Sequence, residues 1–144
     1  MTQKLFEGDY NQSGVIPFRK KDGKKELLMI TSRGGKKWIF PKGIVEPDMT
    51  AVESAAKEAF EEAGVKGEIY PKLIGIYIYK KWGDQCRVQV FLMRVNELLK
   101  EWPEAYFRQR MWVSFEEAKK LVKSGELRKI LYQVPDIIDR YDKK

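Results

Sequence analysis

Three glutamates of one short segment have the residue type and the spacing of a metal site. Glu58, Glu61 and Glu62 would span about 100° of a helix surface, so a helix would present them as one acidic patch. Hydrophobic residues recur at three- and four-residue spacing on a different face of the same helix, namely Val52, Ala55, Ala56, Ala59, Phe60 and Ala63. The pattern predicts an amphipathic helix whose acids point outward.

The acidic patch has two interpretations on charge alone. A solvated helix face accounts for it, and so does a divalent cation. Carboxylates crowded on a helix repel one another, and a hard cation such as Mg²⁺ takes oxygen ligands from carboxylates, water and substrate phosphate. Zinc is a poor fit, because zinc sites use nitrogen and sulfur ligands and the chain has no His and a single cysteine, Cys86.

Local signals place the helix that would carry these acids. Thr50 and Glu53 have the spacing of a capping box, and Gly64 suits the left-handed position that ends a helix. We therefore expect a helix over residues 51–63.

The segment 43–65, GIVEPDMTAVESAAKEAFEEAGV, resembles the Nudix box, G-x5-E-x7-R-E-U-x-E-E-x-G-U, where U is aliphatic. The residues that match in register are Gly43, Glu58, Glu61, Glu62, Gly64 and Val65. The resemblance implies an α/β/α sandwich around a mixed sheet and metal-dependent hydrolysis of a diphosphate linked to another group. It also implies that Mg²⁺ or Mn²⁺ is held by Glu58, Glu61, Glu62 and Gly43.

Two positions depart from the box. Met49 stands where the family has its first Glu, and Lys57 stands where it has Arg. In Nudix proteins that pair helps to orient the catalytic helix, so Lys57 joins the three glutamates as an expected catalytic residue. Lys57 has Glu53 and Glu61 as alternative partners at favourable helix spacing. We expect the chain to retain metal binding, with its catalytic rate in question.

Sequence on both sides of the box resembles the diphosphoinositol-polyphosphate and diadenosine-polyphosphate branch of the family. The similar stretches are GGKKWIFPKGIVEP and EWPEAYFRQRMWVSFEEA, and the resemblance covers roughly residues 12–122. It implies that substrate phosphate is bound by basic residues, namely Arg87, Arg108, Arg110 and Lys42. It implies Glu61 as the general base, with Glu104 from a later loop as the alternative. Trp82 lies in a polar turn where it could stack on a nucleotide base.

The rest of the chain reads as strands followed by helices. Apolar runs at 13–19 and 26–32 flank Asp22-Gly23, and runs at 69–80 and 85–95 flank a second turn, so each pair predicts a hairpin. A short strand is expected at 38–40, and the strand-like runs around Trp38 and Trp112 predict core positions for both rings. Capping-box spacing at Ser114 predicts a helix to about residue 123. A last helix over 127–141 should be kinked or divided at Pro135.

Length and charge are those of one small basic domain. The chain has 144 residues and a formal net charge of +7, so residues 1–144 are expected to form a single domain whose basic surface attracts polyanions. No apolar run is long enough to span a membrane and no signal core is visible, which predicts a cytoplasmic protein. We expect a monomer or a homodimer.

Three functions remain open on the sequence. The first is a pyrophosphohydrolase for small polyphosphates, such as dinucleoside polyphosphates, diphosphoinositol polyphosphates or nucleoside diphosphate derivatives. The second is an enzyme that removes pyrophosphate from the 5′ end of RNA. The third is a Nudix domain that binds a phosphate ligand without cleaving it, which Met49 and Lys57 favour and the three glutamates oppose.

Overall fold

A computed structural model describes residues 9–81 and 83–142, with the side chains of residues 9 and 10 left undescribed. Trp82 lies outside the described residues, so its predicted stacking role has no structural counterpart here. The elements in chain order are β1 (Asp9–Lys21), β2 (Lys24–Thr31), β3 (Trp38–Ile39), β4 (Lys42–Ile44), α1 (Ala51–Glu58), a π-helical turn (Ala59–Ala63), β5 (Val65–Lys81), β6 (Asp84–Leu98), β7 (Arg110–Ser114), α2 (Phe115–Leu121) and α3 (Gly125–Asp142).

The strands form one mixed sheet. Its order is β3-β2-β1-β6-β5, with β4 paired to β1 and β7 paired to β2. The central strands β1 and β6 are parallel, and the other pairs are antiparallel. Asp22 and Gly23 close the first hairpin with φ of 53° and 79°, as a tight turn between twisted strands requires. Both predicted hairpins are confirmed.

Both faces of the sheet are covered. Successive residues alternate between the faces, so Val15 and Leu28 face α1 whereas Ile16 and Leu27 face α2 and α3. Helix and sheet surfaces of this kind bury apolar side chains on both sides of the strands. The fold is the α/β/α sandwich with a mixed sheet that the resemblance implies.

The last helix is continuous, which excludes one of the two predicted alternatives at Pro135. Helix α3 runs from Gly125 to Asp142 through Pro135 without a break, so the predicted division there is wrong. Leu131, Val134 and Ile138 are all at most 1% exposed, and the packing of this apolar face holds the helix together although proline removes one backbone hydrogen bond.

Two tryptophans, for which core positions are predicted, are only partly buried. Trp38 and Trp112 are half-buried, and each packs against one of the two hydrophobic clusters.

Among the described residues, no helix is both long enough and apolar enough to cross a membrane.

Candidate active site

Helix α1 and the π-helical turn that continues it carry the acids. Thr50 accepts a hydrogen bond from the Glu53 amide at 3.1 Å, and the Glu53 carboxylate accepts one from the Thr50 amide at 2.8 Å. Gly64 ends the segment with φ of 65°. The predicted capping box, helix span and left-handed glycine are confirmed. Ala55 and Ala59, both 0% exposed, anchor the segment against the sheet.

Glu58 and Glu62 form the centre of the site. Their carboxyl groups lie within hydrogen-bonding reach of each other. The Glu58 carboxylate lies directly against Gly43, since a Cβ added there would be 2.3 Å from Glu58 Cδ. The Lys42 amide donates to Glu62 Oε1 at 3.2 Å. The prediction that the acids point outward is wrong for Glu62, which is 8% exposed, because β4 and a later loop cover it.

Burial raises the pKa of both carboxyl groups above the usual range. Burial raises the pKa of Glu62 to about 8, and the neighbouring Glu58 contributes to the shift. Burial also raises the pKa of Glu58, and the hydrogen bond from Glu62 opposes that shift. A buried like-charged pair holds a proton until a cation replaces it.

Glu61 lies apart from this pair. Its carboxylate binds Lys57 Nζ at 3.3 Å, and both side chains are about one-third exposed. Of the two partners expected for Lys57, the structure therefore selects Glu61. Met49 Sδ accepts a weak hydrogen bond from Ser54 Oγ at 3.9 Å, so it packs beside the helix and offers no acid to Lys57.

A loop over residues 101–109, called the 101–109 loop here, closes one side of the site. The Trp102 indole donates to the Glu62 carbonyl at 3.0 Å, and the Glu104 amide donates to the Glu61 carbonyl at 3.1 Å. No sequence motif predicts this role for Trp102. Its contact with Glu62 joins residues 40 positions apart, so no local pattern could reveal it.

The four predicted phosphate-binding residues occupy different environments. Arg108 is 8% exposed and belongs to the acid cluster, whereas Arg110 donates to the Ala63 carbonyl at 2.8 Å and lies over the Trp102 ring. Arg110 thus holds the end of the π-helical turn. Arg87 is exposed in β6, and strand alternation places it on the same face of the sheet as α1.

Lys42 has its ammonium group in a polar pocket under the site. Lys42 Nζ donates to the Tyr79 hydroxyl at 3.1 Å, and that hydroxyl donates to Gln12 Oε1 at 3.0 Å. Burial lowers the pKa of Lys42, while the Glu62 carboxylate opposes the shift. The structure therefore brings Lys42 and Arg108 to the Glu58–Glu62 pair and places Arg110 and Arg87 further from it.

The residues present fit a hard cation that has few protein ligands. In the described ranges 9–81 and 83–142, no group of three or more acidic or cysteine side chains converges closely enough to hold an ion. Two carboxylates do converge, at Glu58 and Glu62, in front of a glycine that leaves them room. Mg²⁺ commonly uses one or two carboxylates and completes its shell with water and substrate phosphate. The roles of Glu61 and Gly43 as ligands remain predictions.

Comparison with known proteins identifies the family. The NUDIX domain profile matches residues 11–134. The chain belongs to the Nudix family. Nudix hydrolase 16, a mitochondrial protein of Arabidopsis thaliana, is 38% identical over 136 residues, which cover 82% of this chain and 75% of that protein. Diphosphoinositol polyphosphate phosphohydrolase 2 of Rattus norvegicus is 34% identical, with 81% of this chain and 64% of that protein covered.

Solved structures agree with the Nudix assignment at the level of the fold. The crystal structure of a C. elegans Ap4A hydrolase binary complex superposes with a TM-score of 0.74 at 24% identity, covering 90% of this chain and 98% of that one. Members of the family are hydrolases that cleave phosphoanhydrides and generally need divalent metal ions, and the chain is a Nudix hydrolase.

Proposed function

We propose that this Nudix hydrolase cleaves a phosphoanhydride bond in a small polyphosphate with the help of Mg²⁺ or Mn²⁺. The observation that carries the proposal is the Glu58–Glu62 pair, in which the half-buried Glu58 lies against Gly43 and the buried Glu62 has the Arg108 guanidinium 3.7 Å away. Such a pair is costly without a cation. It is therefore better explained as half of a metal and phosphate site than as a structural feature.

The residues divide the work as follows. When bound, the metal would lower the pKa of a water molecule and neutralise charge that develops on the bridging oxygen. Glu58 and Glu62 would hold it. Glu61 would accept the proton of the attacking water, and Glu104 is the alternative base. Lys57 keeps Glu61 ordered at 3.3 Å.

Arg87 and Lys42 would orient the polyphosphate. The guanidinium of Arg87 is free to bind phosphate oxygens in a bidentate manner because its side chain is exposed on β6. Lys42 lies beside Glu62, so its ammonium group adds positive charge next to the acids.

The substrate class follows from the charge of the site and from the named relatives. A diphosphoinositol polyphosphate phosphohydrolase and an Ap4A hydrolase are both similar to this chain, and we extend to it the class that they share, a compact polyphosphate. The net charge of +7 favours a second candidate, the 5′ end of RNA, through steering of a polyanion. A cytoplasmic location and a monomer or homodimer remain predictions, and several relatives carry mitochondrial names.

A product screen tests the proposal. Purified protein would be incubated with diadenosine tetraphosphate, a diphosphoinositol polyphosphate, a nucleoside diphosphate sugar and 5′-triphosphorylated RNA, each with Mg²⁺, with Mn²⁺ and with a chelator. We expect metal-dependent release of phosphate-containing products from one small substrate. Turnover of RNA alone would select the second candidate. Tight binding with no turnover of any substrate would instead identify a phosphate-binding Nudix domain.

A further inference from the structure

Arg108 is the most enclosed cation beside the acids of the site. Its side chain is only 5% exposed. Nε donates to Glu104 Oε1 at 2.9 Å, Nη2 forms an ion pair with the same oxygen at 2.8 Å, and Nη1 donates to the Thr31 carbonyl at 2.8 Å. Nη2 also lies 3.7 Å from Glu62 Oε2. Each nitrogen of the guanidinium is therefore committed to a protein oxygen.

These contacts leave little of Arg108 for a substrate. An exposed arginine can present its fork to two phosphate oxygens. Arg108 instead uses Nε and Nη2 for the Glu104 carboxylate and Nη1 for the carbonyl of Thr31, the last residue of β2. Binding phosphate would require Arg108 to release these partners, and the buried Glu62 carboxylate would lose a compensating charge, which is unfavourable.

Contacts of the same residues connect the 101–109 loop to the π-helical turn that carries Glu61 and Glu62. Glu104 and Arg108 are four residues apart, and the Arg108 amide donates to the Glu104 carbonyl at 3.1 Å, so one turn of the loop places both side chains on the same side. The Glu104 amide is itself bound to the Glu61 carbonyl at 3.1 Å. The loop thus holds Glu104 next to the acids of the π-helical turn.

We propose that Arg108 is a positioning residue, which ties the Glu104 carboxylate to the Glu62 carboxylate and so adds an acid from the 101–109 loop to the site. This role differs from the phosphate contact that its sequence position suggests. Glu62 is held by the Lys42 amide on one side and by the Arg108 charge on the other. Removing Arg108 would release both carboxylates while the substrate contacts remain. The kinetic part of the test rests on the proposed hydrolysis.

Steady-state kinetics separate the two roles of an arginine. For Arg108→Gln we expect kcat to fall roughly tenfold to a hundredfold with KM nearly unchanged, since positioning acts on the reacting groups. Arg87→Gln is the matched control, because the loss of an exposed phosphate contact should raise KM and leave kcat nearly unchanged. Arg108→Lys should recover only part of kcat, since one ammonium cannot contact Glu104 and Thr31 as a fork does. A rise in KM for Arg108→Gln with kcat unchanged would overturn the proposal.

A second variant keeps the proposal testable if Arg108→Gln does not fold. Glu104→Gln keeps the size of a side chain that is 21% exposed. Combined with Arg108→Lys, it should cost less than the sum of the single changes, because both act through the same contact. Strictly additive losses would show that Arg108 does not work through Glu104.

Amide hydrogen exchange gives a readout that needs no activity. The Lys42 amide donates to Glu62 Oε1, so its protection reports whether the Glu62 carboxylate stays in place. We expect Arg108→Gln to speed exchange at Lys42 and at Glu104, while Arg87→Gln leaves both amides protected. Unchanged protection in Arg108→Gln would contradict the proposal. If the wild-type protein turned over no substrate, the proposed function would fail and this measurement would still decide the role of Arg108.

Discussion

Replacing Gly43 by alanine is a direct test of where the Glu58 carboxylate must lie. The added Cβ would be 2.3 Å from Glu58 Cδ and 2.4 Å from Oε1, whereas ordinary contacts begin at 3.4 Å. Gly43 is not among the glycines that need a positive φ, so alanine fits the backbone of β4. The carboxylate must retreat by about 1 Å, which is enough to cost roughly 100-fold in rate at a catalytic centre.

The stability of the Gly43→Ala variant should change much less than its activity. The crowded atoms belong to the end of a flexible side chain, which can rotate away, so we expect a loss of about 1 kcal/mol in the free energy of unfolding, the low end for overpacking. The assay is steady-state turnover with saturating Mg²⁺, together with thermal unfolding.

Gly34→Ala is the matched control for this experiment. Gly34 has no described atom within 4 Å of an added Cβ, and it lies in the loop that precedes β3, so its variant should keep the wild-type kcat. Wild-type turnover in Gly43→Ala would refute the placement of Glu58 against β4. If Gly43→Ala lost its fold together with its activity, Gly43 would be needed for structure, and the expectation of a small stability change would be wrong.

The remaining predictions concern the pKa of one acid, one phosphate contact and the altered box. In metal-free protein, the Glu62 pKa is raised from 4.5 to about 8. Within this pH window the folded state therefore binds a proton that the unfolded state has released. The free energy of unfolding should therefore fall as pH rises through the window, by roughly 1 kcal/mol per pH unit, and denaturant titration of Glu62→Gln should lack that slope. Arg87→Ala should lower kcat/KM by roughly tenfold to a hundredfold through KM without changing Tm, and a variant with wild-type kinetics would return Arg87 to the solvated surface. Met49→Glu with Lys57→Arg should raise activity above either single change, with a coupling of about 0.5 to 3 kcal/mol in a double-mutant cycle, and additivity would show that the positions are independent.

The helix and its caps could be predicted because their causes are local. Thr50 and Glu53 contact each other within one turn, and Gly64 takes a conformation that its own backbone favours. The alternation of Val15 with Ile16 likewise marks a strand that is covered on both faces.

The environment of the acids could not be predicted, because it comes from contacts that are distant in the sequence. Glu62 is buried by β4, where the Lys42 amide is 20 residues away, and by the loop that carries Arg108. Arg108 donates to the Thr31 carbonyl across 77 residues. A sequence pattern identifies an arginine before a strand that contains a tryptophan, but it does not show whether the guanidinium faces a substrate or the protein interior.

The central claim is that Glu58 and Glu62 together hold the metal ion on which hydrolysis of the phosphoanhydride depends. The most direct measurement is Mn²⁺ binding to the wild-type protein, Glu62→Gln and Glu58→Gln by calorimetry, paired with turnover of the best small substrate in the same buffer. The account predicts that each substitution weakens Mn²⁺ binding and removes metal-dependent turnover, since both carboxylates are needed. Wild-type Mn²⁺ affinity and turnover in Glu62→Gln would contradict it.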